Sequence, residues 1–184
     1  MKATEVLMRE HDAITLMLEI MDHACTRLEG GKSVPVAHLE QMLDFLKTFA
    51  DGCHHMKEEQ TLFPALERAG IPREHGPIGV MLAEHELGRK YISGMTDALR
   101  RLAGGDSSAA GPFIRDSRAY GNLLRGHILK ENTVLFRLAD DRLKNGEQEQ
   151  ILKEFDRIET EKVGAGKHEE YHALLKTLAG TYLR

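Results

Sequence analysis

One motif, a histidine followed four residues later by a glutamate, occurs twice in this chain of 184 residues. His54 precedes Glu58, His127 precedes Glu131, and a Leu-Phe dipeptide follows each pair. Residues four apart on an α-helix lie on the same face, one turn above the other. Each segment therefore points an imidazole and a carboxylate in the same direction. Two such helices facing each other would offer two nitrogens and two bridging carboxylates to a pair of metal ions.

The apolar residues recur in steps of three and four along nearly the whole chain, and strand-like alternation is absent. Three stretches rich in glycine interrupt this period, beginning at Gly30, Gly70 and Gly104. Pro64 lies inside the second helical pattern and should kink it or loosen a turn. We therefore predict an all-α protein. Residues 1–145 should form an up-down-up-down four-helix bundle, and residues 146–184 should add one or two helices that pack on the bundle or on a second subunit of a homo-oligomer.

Two further histidines lie in the remaining two long helices, His11 in the first and His85 in the third. In antiparallel neighbours, residues at one level have a constant index sum, so the turn between them lies at half that sum. If the four helices meet at the level of these histidines and the two His-Glu pairs, the turns fall at about residues 33, 70 and 107. These positions coincide with the three glycine-rich breaks, which supports one site shared by four helices.

Composition and charge exclude several classes of partner. The net charge is -4, and no stripe of lysine and arginine with interleaved aromatic residues appears, so nucleic acid is not expected to bind. No apolar run reaches the length of a membrane span, and the first residues lack the apolar core of a signal peptide. We therefore expect a cytoplasmic protein with no membrane partner. The register places Cys25 and Cys53 about 16 Å apart along the bundle, too far for a disulfide.

Imidazole and carboxylate donors together suit iron, manganese or zinc. A single His-x-x-x-Glu pair is more simply a hydrogen-bonded pair on a helix surface, but two pairs, two more histidines and three turns in register favour the metal site. His55 is the best candidate for an extra ligand, although an imidazole that faces solvent or supports a neighbouring ligand is the favoured interpretation. One of the glutamates that flank the ligands is expected to orient a ligating imidazole, and these are Glu10, Glu59, Glu84 and Glu86.

The pattern resembles the hemerythrin-like domains, also called the HHE cation-binding family. The resemblance rests on two His-x-x-x-Glu motifs with one histidine before the first and one between them, and it covers roughly residues 1 to 140, including HMKEEQTLFP and EHELG. It implies a four-helix bundle that holds two non-haem iron ions joined by an oxo, hydroxo or water bridge. The metal-binding residues that it implies are His11, His54, His85 and His127 as terminal ligands, with Glu58 and Glu131 as bridging carboxylates.

The sequence departs from the oxygen-carrying hemerythrins, whose third helix carries His-x-x-x-His and whose fourth carries His-x-x-x-x-Asp. Here Met81 and Arg89 stand four residues before and after His85, and Asn132 stands five residues after His127. Four expected histidines in place of five leave more coordination positions open, which favours redox chemistry over reversible oxygen storage.

We therefore expect a di-iron protein that binds or reacts with a small diatomic molecule or a peroxide: oxygen, peroxide or nitric oxide. A non-enzymatic sensor of iron, oxygen or redox state, and an iron donor for the repair of damaged iron centres, stay open as alternatives. Whether the protein turns over a substrate as an enzyme stays open too.

A second histidine pattern lies near the end of the chain. His168 to His172 reads HExxH, which formally matches the zinc-protease motif. Only about a dozen residues follow it, and none of them is a histidine or an acidic residue that could serve as a third ligand. We expect a solvated pair of histidines on the last helix.

Overall fold

A computed structural model of the chain describes residues 1–162, 164 and 166–183. Within these ranges the chain is all helical and contains no strand. Three positions of the expected C-terminal segment, 163, 165 and 184, lie outside the described residues. In this described part, no helix combines the length and the apolar character needed to span a bilayer.

In the residues that the structure describes, the helices form four long runs followed by two further helices. The first run is α1 (Ala3–Glu29). The second run covers residues 36–68 and consists of α2 (Val36–Phe45), π-helical segments at Leu46–His55 and Glu58–Leu62, and α3 (Phe63–Arg68). The third run is α4 (Pro77–Ala103). The fourth covers residues 107–142 and consists of a 3-10 turn at Ser107–Ala109, α5 (Ala110–Lys130), a π-helical segment at Glu131–Leu135 and α6 (Phe136–Arg142). The last two helices are α7 (Asn145–Lys162) and α8 (Lys167–Tyr182).

A glycine in the left-handed conformation ends each of the first three runs, at the breaks expected from the sequence. The φ angle is 70° at Gly31, 90° at Gly70 and 90° at Gly105. After Gly31, the Lys32 amide donates to the Arg27 carbonyl at 2.9 Å, and equivalent bonds follow the other two glycines. This is the Schellman geometry, in which a residue without Cβ turns the chain and satisfies the last helical carbonyls.

The four runs surround a common interior, because α1 contacts α2 and α5, and α4 also contacts α2 and α5. Two separate hydrophobic clusters fill this interior, and every run passes from one cluster to the other. The apolar residues that flank the crossing are Leu7 and Ile14 in the first run, Cys53 and Leu62 in the second, Met81 and Ile92 in the third, and Ile128 and Leu135 in the fourth. A layer of buried polar residues lies between the clusters.

The last two helices pack against the four runs of the same chain, one on each cluster. Phe155 of α7 joins the cluster that contains Leu7, and Tyr171 of α8 joins the cluster that contains Ile14. The Tyr171 hydroxyl also donates to Asp44 at 3.0 Å. Both cysteines are buried free thiols.

Candidate metal centre

The polar layer coincides with the π-helical segments of the second and fourth runs. In a π-helix the backbone bond spans five residues, as in the bonds from the Phe63 amide to the Glu58 carbonyl and from the Phe136 amide to the Glu131 carbonyl. More residues per turn means less rotation per residue than the 100° of an α-helix. Neighbouring side chains on the second run can therefore both face the interior. Pro64, which lacks an amide hydrogen, lies two residues beyond Leu62, the last residue of the second π-helical segment.

All six residues expected from the sequence to bind metal are buried, each no more than 1% exposed. His55 is buried as well, at 3%. The seven side chains form two groups in which the donor atoms lie within 4.8 Å of one another. One group is His55, Glu58, His85 and His127, and the other is His11, His54, Glu58 and Glu131.

The two carboxylates lie between the two groups. Glu58 Oε1 is 3.5 Å from His54 Nε2, and its Oε2 is 3.4 Å from His85 Nε2. Its two oxygens therefore face different groups, which is how a carboxylate bridges two ions. Glu131 Oε2 is 3.2 Å from the Nε2 atoms of both His11 and His127, one from each group. The i,i+4 spacing of each motif brings the carboxylate beside the imidazole of its own run.

Several buried donor atoms of these groups have no hydrogen-bond partner in the described structure. They are Nε2 of His11, His54 and His55, and both carboxylate oxygens of Glu58 and Glu131. An unpaired buried polar atom is costly, so native interiors contain few of them. A metal ion satisfies nitrogen and carboxylate oxygen donors together, and this donor set fits iron, manganese or zinc. The residues present therefore fit a pair of such ions.

Burial and the neighbouring charges perturb the pKa values of the buried groups in different directions. Burial, and then the nearby Glu131, raise the pKa of Glu58 well above its usual range. Burial also tends to raise the pKa of Glu131, but the imidazoles of His127 and His11 outweigh this effect, so the Glu131 pKa is lowered. Burial lowers the pKa of His54 to about 4. His54 is therefore a neutral imidazole at physiological pH, the form that binds a metal.

The outer nitrogen of every imidazole in the two groups has an acceptor of its own. The Nδ1 distances are 2.8 Å from His54 to Glu10, 2.7 Å from His85 to Glu59, 3.0 Å from His127 to Glu84, 3.2 Å from His55 to Asp51 and 2.8 Å from His11 to the Asn132 side-chain oxygen. These bonds place a proton on Nδ1 and direct Nε2 inward, the usual arrangement for metal-binding histidines. Three of the four flanking glutamates thus orient an imidazole, whereas Glu86 pairs with Arg89.

His55 differs most from the sequence expectation. Its ring does not face solvent: it stacks on the His85 ring with centroids 3.9 Å apart, and its Nε2 joins the donors around Glu58. The structure therefore brings five imidazoles to the centre rather than four. The signal that could have identified His55 is the pair of adjacent histidines. A rotation of 100° separates neighbouring side chains on an α-helix, whereas the smaller rotation per residue of a π-helix lets both face the interior.

The three departures from the oxygen-carrying hemerythrins have structural roles. The Arg89 guanidinium binds Asp51 at 2.9 Å and Glu59 at 2.7 Å, and so holds the acceptors of His55 and His85. Asn132 is the acceptor for His11. The third residue, the methionine four positions before His85, is buried in the apolar cluster on the Leu7 side of the centre.

His168 and His172 lie outside both donor groups. His172 is exposed, as expected from the sequence, whereas the His168 side chain is only partly exposed. Its ring packs on Phe49 with centroids 5.2 Å apart, and its Nε2 is 3.5 Å from Glu159 Oε1. Both histidines line a cavity of about 310 Å³. The donor atoms of Glu10, Glu159 and His168 also lie within 4.8 Å of one another. The ammonium of a buried lysine already binds both of these carboxylates, however, and neutralises part of their charge.

Comparisons with known proteins agree with this geometry. Residues 2–139 match the model of the hemerythrin HHE cation binding domain. An uncharacterized protein of Mycobacterium tuberculosis is 28% identical over 162 residues, which are 88% of this chain and 63% of the relative. The iron-sulfur cluster repair protein YtfE of Edwardsiella ictaluri is 31% identical over 122 residues, 65% of this chain and 54% of the relative. The chain thus spans less than two thirds of these relatives. No solved structure matches it.

Proposed function

This chain belongs to the hemerythrin HHE cation-binding family, and we propose that it is a non-haem di-iron protein whose iron pair binds or reacts with a small oxidant. The proposal includes the up-down-up-down four-helix bundle of this family for residues 1–145, with residues 146–184 as an extension. The closed ring of contacts among the four runs and the three left-handed glycines support that topology.

The observation that carries the proposal is the convergence of buried nitrogen and oxygen donors, unpartnered within the described part of the chain, on one layer between two apolar clusters. In this arrangement one iron would be held by His55, His85 and His127, and the other by His11 and His54. The carboxylates of Glu58 and Glu131 would bridge the two ions, because each faces both groups. Carboxylates and histidines from facing helices of a bundle are an established way to hold such a pair.

The bound irons would supply the electrons for reaction with oxygen, peroxide or nitric oxide. Five imidazoles and two carboxylates would hold the ions, and this donor set would leave positions open for a small ligand. Aromatic rings close the layer on the Leu7 side: Phe136 stacks on His11 with centroids 5.4 Å apart, and Phe63 stacks on His85 at 5.9 Å. These rings exclude bulk water and restrict the site to small molecules.

A metal count combined with a reaction assay tests the proposal. Elemental analysis of protein loaded with iron under anaerobic conditions should give two irons per chain, and the Glu58→Ala plus Glu131→Ala variant should lose nearly all of them. Stopped-flow spectra of the reduced protein mixed with oxygen, peroxide or nitric oxide should show oxidation or ligand binding. Retention of both irons by the double variant would contradict the assigned bridging residues, and a reduced protein inert to all three oxidants would contradict the assigned chemistry.

The similarity to an iron-sulfur cluster repair protein supports a second candidate, an iron donor for damaged iron centres. Both candidates use the same di-iron site but differ in the fate of the metal. A donor should lose iron readily to a chelator or to an iron-sulfur protein that lacks its metal, whereas an oxidant-reacting protein should keep its irons through repeated cycles of reduction and oxidation. Counting the iron retained after several cycles distinguishes the two.

A further inference from the structure

We propose that Glu159, in the C-terminal segment beyond the family match, is a positioning residue for the metal centre and acts on His54 through Lys57 and Glu10. The inference rests on the proposed metal centre, because His54 is one of its ligands. The inference gives α7, which lies outside the matched residues 2–139, a role in tuning the metal centre.

The starting observation is a lysine side chain that is completely buried. Lys57 is 0% exposed and lies on the second run, beside Glu58. Its ammonium is 5.8 Å from the centre of the Phe155 ring, so α7 forms part of its surroundings. Taking an ammonium out of water is expensive unless opposite charges and hydrogen bonds compensate for the lost hydration. The partners of this lysine therefore determine where its charge sits.

Lys57 has two carboxylate partners, which come from different ends of the sequence. Its Nζ is 2.5 Å from Glu10 Oε1 and 3.0 Å from Glu159 Oε2. The other oxygen of Glu10 accepts from His54 Nδ1 at 2.8 Å. A continuous chain of charge-assisted hydrogen bonds thus runs from α7 to the metal-facing imidazole, and each of its links is within hydrogen-bond distance.

The position of the lysine charge between its two carboxylates affects the donor strength of His54. A carboxylate that accepts from the outer nitrogen of a ligating histidine makes that imidazole a better donor to the metal. Lys57 draws electron density from Glu10, and Glu159 offsets this by sharing the ammonium. Without the Glu159 charge, Lys57 would act on Glu10 alone, His54 would donate more weakly, and the centre would hold its irons less tightly in the oxidised state. The reduction potential should then rise.

The test compares Glu159→Gln with Glu154→Gln in the full-length, iron-loaded protein. Both substitutions remove one negative charge from α7, but Glu154 pairs with Arg157 on the surface and does not reach Lys57. We expect Glu159→Gln to raise the reduction potential of the iron centre and to speed iron loss to a chelator, by up to about tenfold, since direct partners of a ligand change metal affinity by about 10–100-fold. Glu154→Gln should leave both quantities at the wild-type values.

Two further measurements separate this mechanism from its alternatives. In metal-free protein, nitrogen NMR of the His54 ring should show a shift of the Nδ1–H signal in Glu159→Gln and none in Glu154→Gln, a result that does not depend on iron. In a Lys57→Met background, the effect of Glu159→Gln on the potential should disappear, because the intermediate residue is gone.

Equal behaviour of the two glutamine variants in both the NMR and the redox experiments would overturn the proposal. So would a full Glu159→Gln effect without Lys57, since that would mean a direct action of the charge. An NMR shift confined to Glu159→Gln in a protein that binds no iron would support the positioning role while refuting the proposed di-iron function. If Lys57→Met does not fold, the NMR comparison of the two glutamine variants decides alone.

Discussion

Removal of the metal should destabilise the protein substantially, because seven buried donor atoms of the centre have no hydrogen-bond partner among the residues that the structure describes. An unsatisfied buried polar group costs about 1–3 kcal/mol, and the lower figure for each atom gives roughly 7 kcal/mol in total. Entering water and protonation of Glu58 should recover part of this cost, and we take about half of the total, ~3.5 kcal/mol, as the expected difference. Such a difference is a large fraction of a typical stability of about 5–15 kcal/mol.

In a chain of this size, 1 kcal/mol shifts the melting temperature by about 2–4 °C, so the metal-free protein should melt roughly 7–14 °C below the iron-loaded form. Thermal unfolding followed by circular dichroism, in one buffer before and after chelation, measures the shift. The Glu58→Gln plus Glu131→Gln variant is the control, since its amides cannot bridge two ions and added iron should not change its melting temperature. A shift below about 2 °C in the wild type would refute the reasoning, because the unpartnered atoms would then cost almost nothing.

Three further predictions follow from individual residues. His55→Ala should leave one iron much more weakly held than the other, which a chelator-resistant iron count measures; two tightly held irons would exclude His55 as a ligand. Metal affinity should increase with pH, because metal binding must displace protons from groups whose pKa values are raised. The pKa of Glu58 is raised by burial, and the pKa of His127 is raised by Glu131 against the effect of its burial. Isothermal titration from about pH 6 to about pH 8 measures this trend, and an affinity that does not change with pH would contradict the prediction. His168→Ala plus His172→Ala should leave the iron content unchanged, and a halved count would implicate the HExxH motif.

The fifth imidazole changes one expectation about reactivity. The sequence favours redox chemistry over reversible oxygen storage on the ground that four expected histidines stand where the oxygen carriers have five. His55 brings the number of imidazoles at the centre to five, which removes that ground. The lifetime of the oxygen complex, read from the stopped-flow spectra, therefore reports on whether His55 binds iron.

The local features of the chain could be predicted from the sequence because their causes are local. The helical period follows from burying one face of each helix, and the turns at Gly31, Gly70 and Gly105 follow from glycine's freedom to adopt a left-handed conformation. The i,i+4 spacing brings Glu58 beside His54 and Glu131 beside His127 without reference to any other part of the chain. The burial of the six expected residues in one layer agrees with the register calculated from these features.

The position of His55 and the network around the centre depend on the tertiary structure. Pro64 predicts a loosened turn in the second run, but it does not predict that π-helical turns direct His54 and its neighbour into the same layer, because π-helical geometry arises where packing displaces the ordinary hydrogen-bond ladder. The partner of His54, Glu10, lies 44 positions away, and Lys57 reaches Glu159 across 102 positions. Hydrogen bonds between such distant residues depend on how whole helices pack, and periodicity within one helix contains no information about them.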